Sequence, residues 1–167
     1  LYRQRYGMTD PYAKLVNNRG DLYEDLYGVR NFRVVLHGVY YRGGANNLYN
    51  KNEPRANTNP LPDEGLKNLC HEGFKNSIYL YSDNFSTAPS STSCKDYTNT
   101  PRTLNYMQIS GLKSGNEEKF IAMIYKRIKG EIDGPIYGHC WNGWHASGYV
   151  AAVTLKQFCG YSDQKAL

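Results

Sequence analysis

Apolar positions in this chain gather into short runs divided by polar stretches bearing glycine and proline, and the period of each run predicts an element. The stretch NFRVVLHGVYYRGG, Asn31 to Gly44, concentrates Val, Leu, Tyr and Phe ahead of a glycine pair. It predicts a strand or hairpin ending in a turn. From Asp63, DEGLKNLCHEGF follows a proline, sets Leu66, Leu69 and Cys70 on one face and stops near Gly73, as a short helix should. NSIYLYS and TLNYMQIS read as strands. GNEEKFIAMIYKRIKGEI repeats Phe120, Ile121, Ile124 and Ile128 at helical spacing, with glutamates early and Lys/Arg late to suit the helix dipole. GPIYGHC is a short strand, SGYVAAVTLKQFCG a helix closed by Gly160, and SDQKAL the first turn of another. Strands alternating with helices predict an α/β fold with a central, mostly parallel sheet flanked by helices.

Three stretches carry no steady period. Residues 1–30 are rich in Tyr, Arg, Asn and Gly and read as an N-terminal wrapping segment, leaving residues 31–167 as the folded domain. ANNLYNKNEPRANTNPLP is a polar loop. Asp83 to Pro101, rich in Ser, Thr and Asn, exceeds most connections in compact domains and reads as a functional or mobile surface excursion.

At 167 residues the length suits one domain with one core. That core must use amphipathic rings, because the hydrophobic share of 40% includes 16 tyrosines and the mean hydropathy is -0.67. No apolar stretch approaches the roughly 20 residues of a membrane span, and no signal-like segment opens the chain. The expectation is a soluble protein, with the compartment (cytoplasmic, or secreted or periplasmic) left open. The net charge of +5 comes from scattered Lys and Arg rather than one basic run, which argues against a nucleic-acid partner. The four cysteines form no C-x-x-C pair, so neither a thiol zinc site nor any other metal or cofactor is expected. Cys70 reads as core; a bridge from it to Cys94 would close a loop of ordinary size and imply an oxidising compartment. Cys159, at a helix end, reads as packing.

The chemistry concentrates in IYGHCWNGWHASGYVAAV, Ile136 to Val153. A strand ending in a thiol, a short glycine-containing loop and Ser147-Gly148 opening a helix make a geometry for holding an anion. Backbone N–H groups curl inward and the helix N-terminus adds positive potential. The same field stabilises a thiolate at Cys140. A nucleophile beside an anion cradle suggests phosphoryl transfer through a cysteinyl phosphate.

HCWNGWHASG resembles the signature H-C-x-x-G-x-x-R-[ST]-G of the cysteine-dependent protein tyrosine and dual-specificity phosphatases, matching at His139, Cys140, Gly143, Ser147 and Gly148. GVYYRGG and LPDEGLKNLCHEGFKNSIYLYS are similar to segments of the atypical dual-specificity and phytase-like branches, and the resemblance runs in order from about Val35 to Phe158. It implies a dual-specificity-phosphatase-like fold. It also implies Cys140 as nucleophile with His139 and Ser147 beside it, and a phosphate loop made of Trp141, Asn142, Gly143, Trp144, His145 and Ala146, with Arg42 adding positive charge; read by itself, Arg42 equally suits pairing with a surface carboxylate.

Two departures bear on activity. Ala146 stands where the family has its phosphate-binding arginine, so a bidentate grip on phosphoryl oxygens cannot form. Losing such an arginine costs on the order of 10³ to 10⁵ in rate. The segment QISGLKSGN, where the family carries its aspartate general acid, has no carboxylate; the nearest are Glu117 and Glu118. Losing that proton donor costs roughly another 10² to 10⁴. Asp83 or Asp96 could reach in from the long Ser/Thr stretch. His145 offers at most a partial charge, and Lys113 either faces the ligand or is solvated. His139 reads as ordering the loop more than as a base. Trp141 and Trp144 either wall the ligand or, the favoured reading, plug the arginine's place. The expectation is a phosphatase-like domain with a degenerate site, a pseudophosphatase or phosphate-ligand-binding module whose partner is a phosphorylated small molecule or phosphoprotein. The alternative is an active cysteine-dependent phosphomonoester hydrolase acting on phosphoproteins or inositol phosphates.

Overall fold

A computed structural model of the chain describes residue 26, residues 28–45 and residues 60–166. The wrapping segment expected over residues 1–30 and the polar loop after Gly44 lie mostly outside the described residues. In chain order the elements are β1 (Arg30–Leu36), β2 (Tyr40–Gly44), α1 (Asp63–His71), β3 (Asn76–Tyr79), β4 (Ser91–Lys95) and β5 (Pro101–Gln108). There follow α2 (Glu117–Ile128), β6 (Ile136–His139), α3 (His145–Cys159) and α4 (Asp163–Ala166). The strands form one mixed six-stranded sheet in the order β1-β2-β6-β3-β5-β4. β2, β6, β3 and β5 run parallel, and β1 and β4 close the two edges antiparallel.

Helices cover both faces. Under α1, the rings of Phe32, Tyr41, Phe74 and Tyr137 pack with Leu66 and Leu69. Phe32 stacks between Tyr41 at 5.4 Å and Tyr137 at 5.3 Å. Leu26 and Val29, which precede the boundary expected at residue 30, are fully buried in this same core. On the opposite face α2 and α3 bury Phe120, Ile124 and Val150 against Tyr40, Ile78 and Ile136. Ile128, expected on the same apolar stripe of α2, is instead exposed in the helix's last turn.

The hairpin turns at residues 37–39, where Gly38 takes φ +73°, and not at the glycine pair. Gly43 and Gly44 lie inside β2. A Cβ on Gly43 would collide with the Tyr137 hydroxyl, and a Cβ on Gly138 of β6 would collide with the Tyr40 hydroxyl. Each of these neighbouring strands therefore lays a tyrosine over the other's glycine, which explains why strand glycines sit here.

The Ser/Thr-rich stretch is more ordered than its composition suggested, because it contains β4. Residues of β4 alternate between exposed and half-buried, so an edge strand wetted on one face needs little apolar character. A disulfide ties Cys94 of β4 to Cys70 on the buried side of α1. Cys159 is exposed at the end of α3 rather than packed. No helix among the described residues is long and apolar enough to cross a membrane.

Candidate active site at the Cys140 loop

Register brings the carboxyl ends of the parallel strands level. Gly43, His139, Tyr79 and Gln108 stand in one row across β2, β6, β3 and β5. The segments leaving that row share one edge, the edge at which open α/β sheets bind ligands.

The loop from Cys140 into α3 leaves β6 at this edge and is held from outside. Cys140 N–H donates to the Gly43 carbonyl at 3.2 Å and Ala45 N–H to the Trp141 carbonyl at 2.8 Å. Asn31 Nδ2 donates to the Asn142 carbonyl at 2.6 Å, Arg42 Nη2 to the Gly143 carbonyl at 3.2 Å, and Gly148 N–H to the Trp144 carbonyl at 3.1 Å. Three consecutive carbonyls, Trp141 to Gly143, thus accept from donors outside the loop, and the Trp144 carbonyl takes the first hydrogen bond of α3 itself. In a planar trans peptide the next residue's N–H points the opposite way, so the following amides turn to the inner side. Among the described residues, the N–H groups of Gly143, Trp144, His145, Ala146 and Ser147 donate to no protein group. The last three belong to the first turn of α3, where unpaired donors and the helix dipole favour negative charge. Gly143 takes φ +81°, and a Cβ there would lie 2.7 Å from the Gly43 carbonyl carbon, so the turn requires glycine on both counts.

Cys140 and Ser147 come together: the thiol donates to the Ser147 hydroxyl at 3.5 Å. Both are buried, and Cys140 packs among Tyr40, Ile78, Leu80 and Val150. Ala146 is fully buried in the same cluster. Trp141 and Trp144 are 47% and 49% exposed, so they do not fill the place of a guanidinium as the plugging reading had it. Their half-exposure puts them at the loop's rim, with His145 exposed beside them.

His139 is buried on the other face of the sheet, among the rings of Tyr79, Tyr106 and Tyr137. The Tyr106 hydroxyl accepts from Leu61 N–H at 2.9 Å, which leaves its proton for His139 Nε2 at 2.8 Å. Nδ1 then carries the ring proton and faces the Cys140 carbonyl at 3.2 Å; the network assigns this tautomer. Burial pushes the imidazole down to about 3, opposed by its bond to the Cys140 carbonyl. A neutral, enclosed ring with both nitrogens engaged positions the loop and has no route to act as a base.

Arg42, expected as a phosphate ligand, lies on the carbonyl side of the loop. Its guanidinium braces Gly143 from behind and lies against Gly148, where a Cβ would be in ordinary contact with Nη2 at 3.6 Å.

The segment expected to hold a general acid passes beside α3, where a Cβ on Gly111 would lie 2.8 Å from Val150 Cγ2. Leu112 and Lys113 there are exposed. Glu117 is the first residue of α2 and accepts from Gly115 N–H and from the Tyr149 hydroxyl, each at 2.9 Å. Its own backbone N–H and Tyr149 hold its carboxyl below the usual range, so it is a poor proton donor. Asp96 is overturned as a donor into the loop. It sits at the amino end of β5, opposite to the edge with Cys140, accepting from the Thr98 hydroxyl at 2.6 Å, Thr100 N–H at 3.0 Å and Arg102 Nε at 2.9 Å. Asp83 does lie on the loop's edge, beside the Tyr79 phenol. Burial raises that phenol, and the charges of Asp83, Tyr81 and Cys140 add to the effect.

Reasoning from sequence missed Asn31, Tyr79 and Tyr106. Asn31 adopts φ +50°, a conformation asparagine tolerates better than most residues, but no local pattern connects it to a loop 111 residues away. Among the described residues no group of three or more His, Cys, Asp or Glu side chains is placed to hold a metal ion. No protein-family model matches the chain, and no curated protein matches it.

Proposed function

We propose that this chain is a phosphatase-like domain of the cysteine-dependent tyrosine and dual-specificity superfamily. In this reading the Cys140 loop binds a phosphorylated small molecule or phosphoprotein and turns it over weakly or not at all. The observation that carries the reading is the polarity of the loop: three successive carbonyls from Trp141 to Gly143 are held from outside, while the amides from Gly143 to Ser147 have no protein acceptor among the described residues. Such amides, beside a thiol and at a helix start, suit an oxyanion.

Loss of turnover follows from what surrounds them. Ala146 brings no charge, Arg42 lies on the carbonyl side of the loop with Nη2 on the Gly143 carbonyl, and Glu117 is held ionised. The combined deficit is on the order of 10⁵ or more in rate relative to a loop with its arginine and acid. The thiol–hydroxyl contact of Cys140 with Ser147 and the position of Asp83 favour residual hydrolase activity as the second reading.

Orthovanadate binding and p-nitrophenyl phosphate turnover, measured on one sample, separate these readings. Vanadate binding without Cys140-dependent turnover is the expected result. Turnover abolished by Cys140→Ser establishes the hydrolase instead, and failure to bind vanadate removes the anion loop altogether.

A further inference from the structure

Arg33 of β1 and Arg42 of β2 are direct cross-strand partners on the sheet face beneath α3. Like charges placed directly opposite destabilise a sheet, and nothing in the described residues neutralises this pair. Both side chains line a cavity of about 350 Å³ closed by Leu155 and Cys159 of α3 and by Tyr161 and Lys165 beyond it; no acidic residue among the described residues lines it. The Arg33 guanidinium makes no hydrogen bond or ion pair among the described residues, and that of Arg42 makes one hydrogen bond, to the Gly143 carbonyl. The Nε atoms of both are sealed from solvent without a partner. Burial lowers the pKa of each guanidinium, and the charge of Arg42 lowers that of Arg33 further. Lys165 adds a third cation, its ammonium 4.2 Å from the centre of the Tyr161 ring, while the nearby Asp163 pairs outward with Lys156.

Desolvated cations without counter-charge are costly, and planar guanidinium forks match oxyanions bidentately. We propose that the cavity between β1, β2, α3 and α4 is a second anion site, in which Arg33, Arg42 and Lys165 bind a phosphate group, either free or on a small phosphorylated molecule. A phosphate dianion answers two opposed forks at once, as a single carboxylate does not. The cavity volume falls at the small end of the range for ligand sites, and Val34, Val35 and Leu155 offer an apolar wall to an ester group. The site stands whether or not the Cys140 loop binds an anion. Arg42 connects the two, with its Nη2 on the loop's outer carbonyls.

Titration of the ¹⁵N-labelled chain with inorganic phosphate, at ionic strength fixed by chloride, tests the site. The expected result is saturable shifts of the Leu155 and Lys165 amides, distinct from any at Gly143 to Ser147, with affinity weakened about tenfold or more in Arg33→Gln and in Lys165→Gln. A parallel titration with phenyl phosphate distinguishes the sources: tighter binding than phosphate indicates an ester, equal or weaker binding free phosphate. Arg33→Gln also relieves the opposed charges, so without phosphate its Tm rises, and phosphate then raises it less than in the parent chain. The proposal is overturned if phosphate shifts at Leu155 and Lys165 match those from chloride alone, or if Arg33→Gln leaves the affinity there within twofold.

Discussion

The Tyr106 hydroxyl stands between Leu61 and His139, accepting the backbone N–H of one at 2.9 Å and donating to Nε2 of the other at 2.8 Å. One oxygen thereby links the residues before α1 to the strand end that carries Cys140. Replacing it in Tyr106→Phe strands a buried donor and a buried acceptor while keeping the ring. Each orphaned group costs about 1–3 kcal/mol, and the expected loss in urea unfolding lies in that range or above. A loss under about 0.5 kcal/mol would show that the link does not hold the strand end.

His139 gives the fold a dependence on pH. Above pH 6.5 the ring is neutral whether the chain is folded or not, and its contribution is fully present. Below that the unfolded ring takes a proton while the folded ring stays neutral down to about 3. The unfolded state then binds more protons, so stability falls with pH by about 1.4 kcal/mol per unit. Asp96 and Glu117, whose carboxyls are held low, add to the loss only below about pH 4.5. Between pH 4.5 and 6.5 the slope in denaturant midpoints should therefore be largely that of His139, and it should flatten in His139→Gln.

The tyrosine and glycine exchanges between β2 and β6 predict opposite effects from two small changes. Gly138→Ala drives a methyl into Tyr40, whose Cε2 would lie 2.9 Å away, and overpacking of this kind costs about 1–3 kcal/mol. Tyr40→Phe removes a buried hydroxyl that has no hydrogen-bond partner among the described residues and should be neutral or stabilising by up to about 1 kcal/mol. Thermal melts of both variants read the two signs directly. A destabilised Tyr40→Phe means the hydroxyl bonds to water or ligand in solution.

The Cys70–Cys94 bridge closes a loop with a sequence separation of 24. By chain entropy such a loop stabilises by about 3 kcal/mol. The double variant Cys70→Ala/Cys94→Ala should lose about that much, and reductant should lower the Tm of the parent chain but not of the variant. Equal melting of the parent chain with and without reductant would show that the bridge does not form in solution.

Legibility followed the range of the forces. Helices α1, α2 and α3 were readable because a stripe at Leu66 and Leu69 or at Phe120 and Ile124, with Gly160 as a stop, is set by neighbours within a turn or two. Apolar strands such as NSIY were readable for the same reason. Strand β4 was not, since an edge strand of Ser and Thr owes its form to pairing with β5 rather than to its own side chains.

The candidate loop divides in the same way. Cys140, Gly143 and Ser147 stand in the chain as a local pattern, because a turn from strand to helix needs those residue types at that spacing. The chain alone also shows that position 146 carries no guanidinium. Which way Arg42 faces, that His139 is neutral and enclosed by Tyr106, that Asp96 lies at the wrong end of the sheet and that Arg33 opposes Arg42 were decided by tertiary structure alone. Those outcomes depend on strand order and register, which arise from packing between segments as distant as Asn31 and Asn142. No window of sequence contains both partners of such a contact.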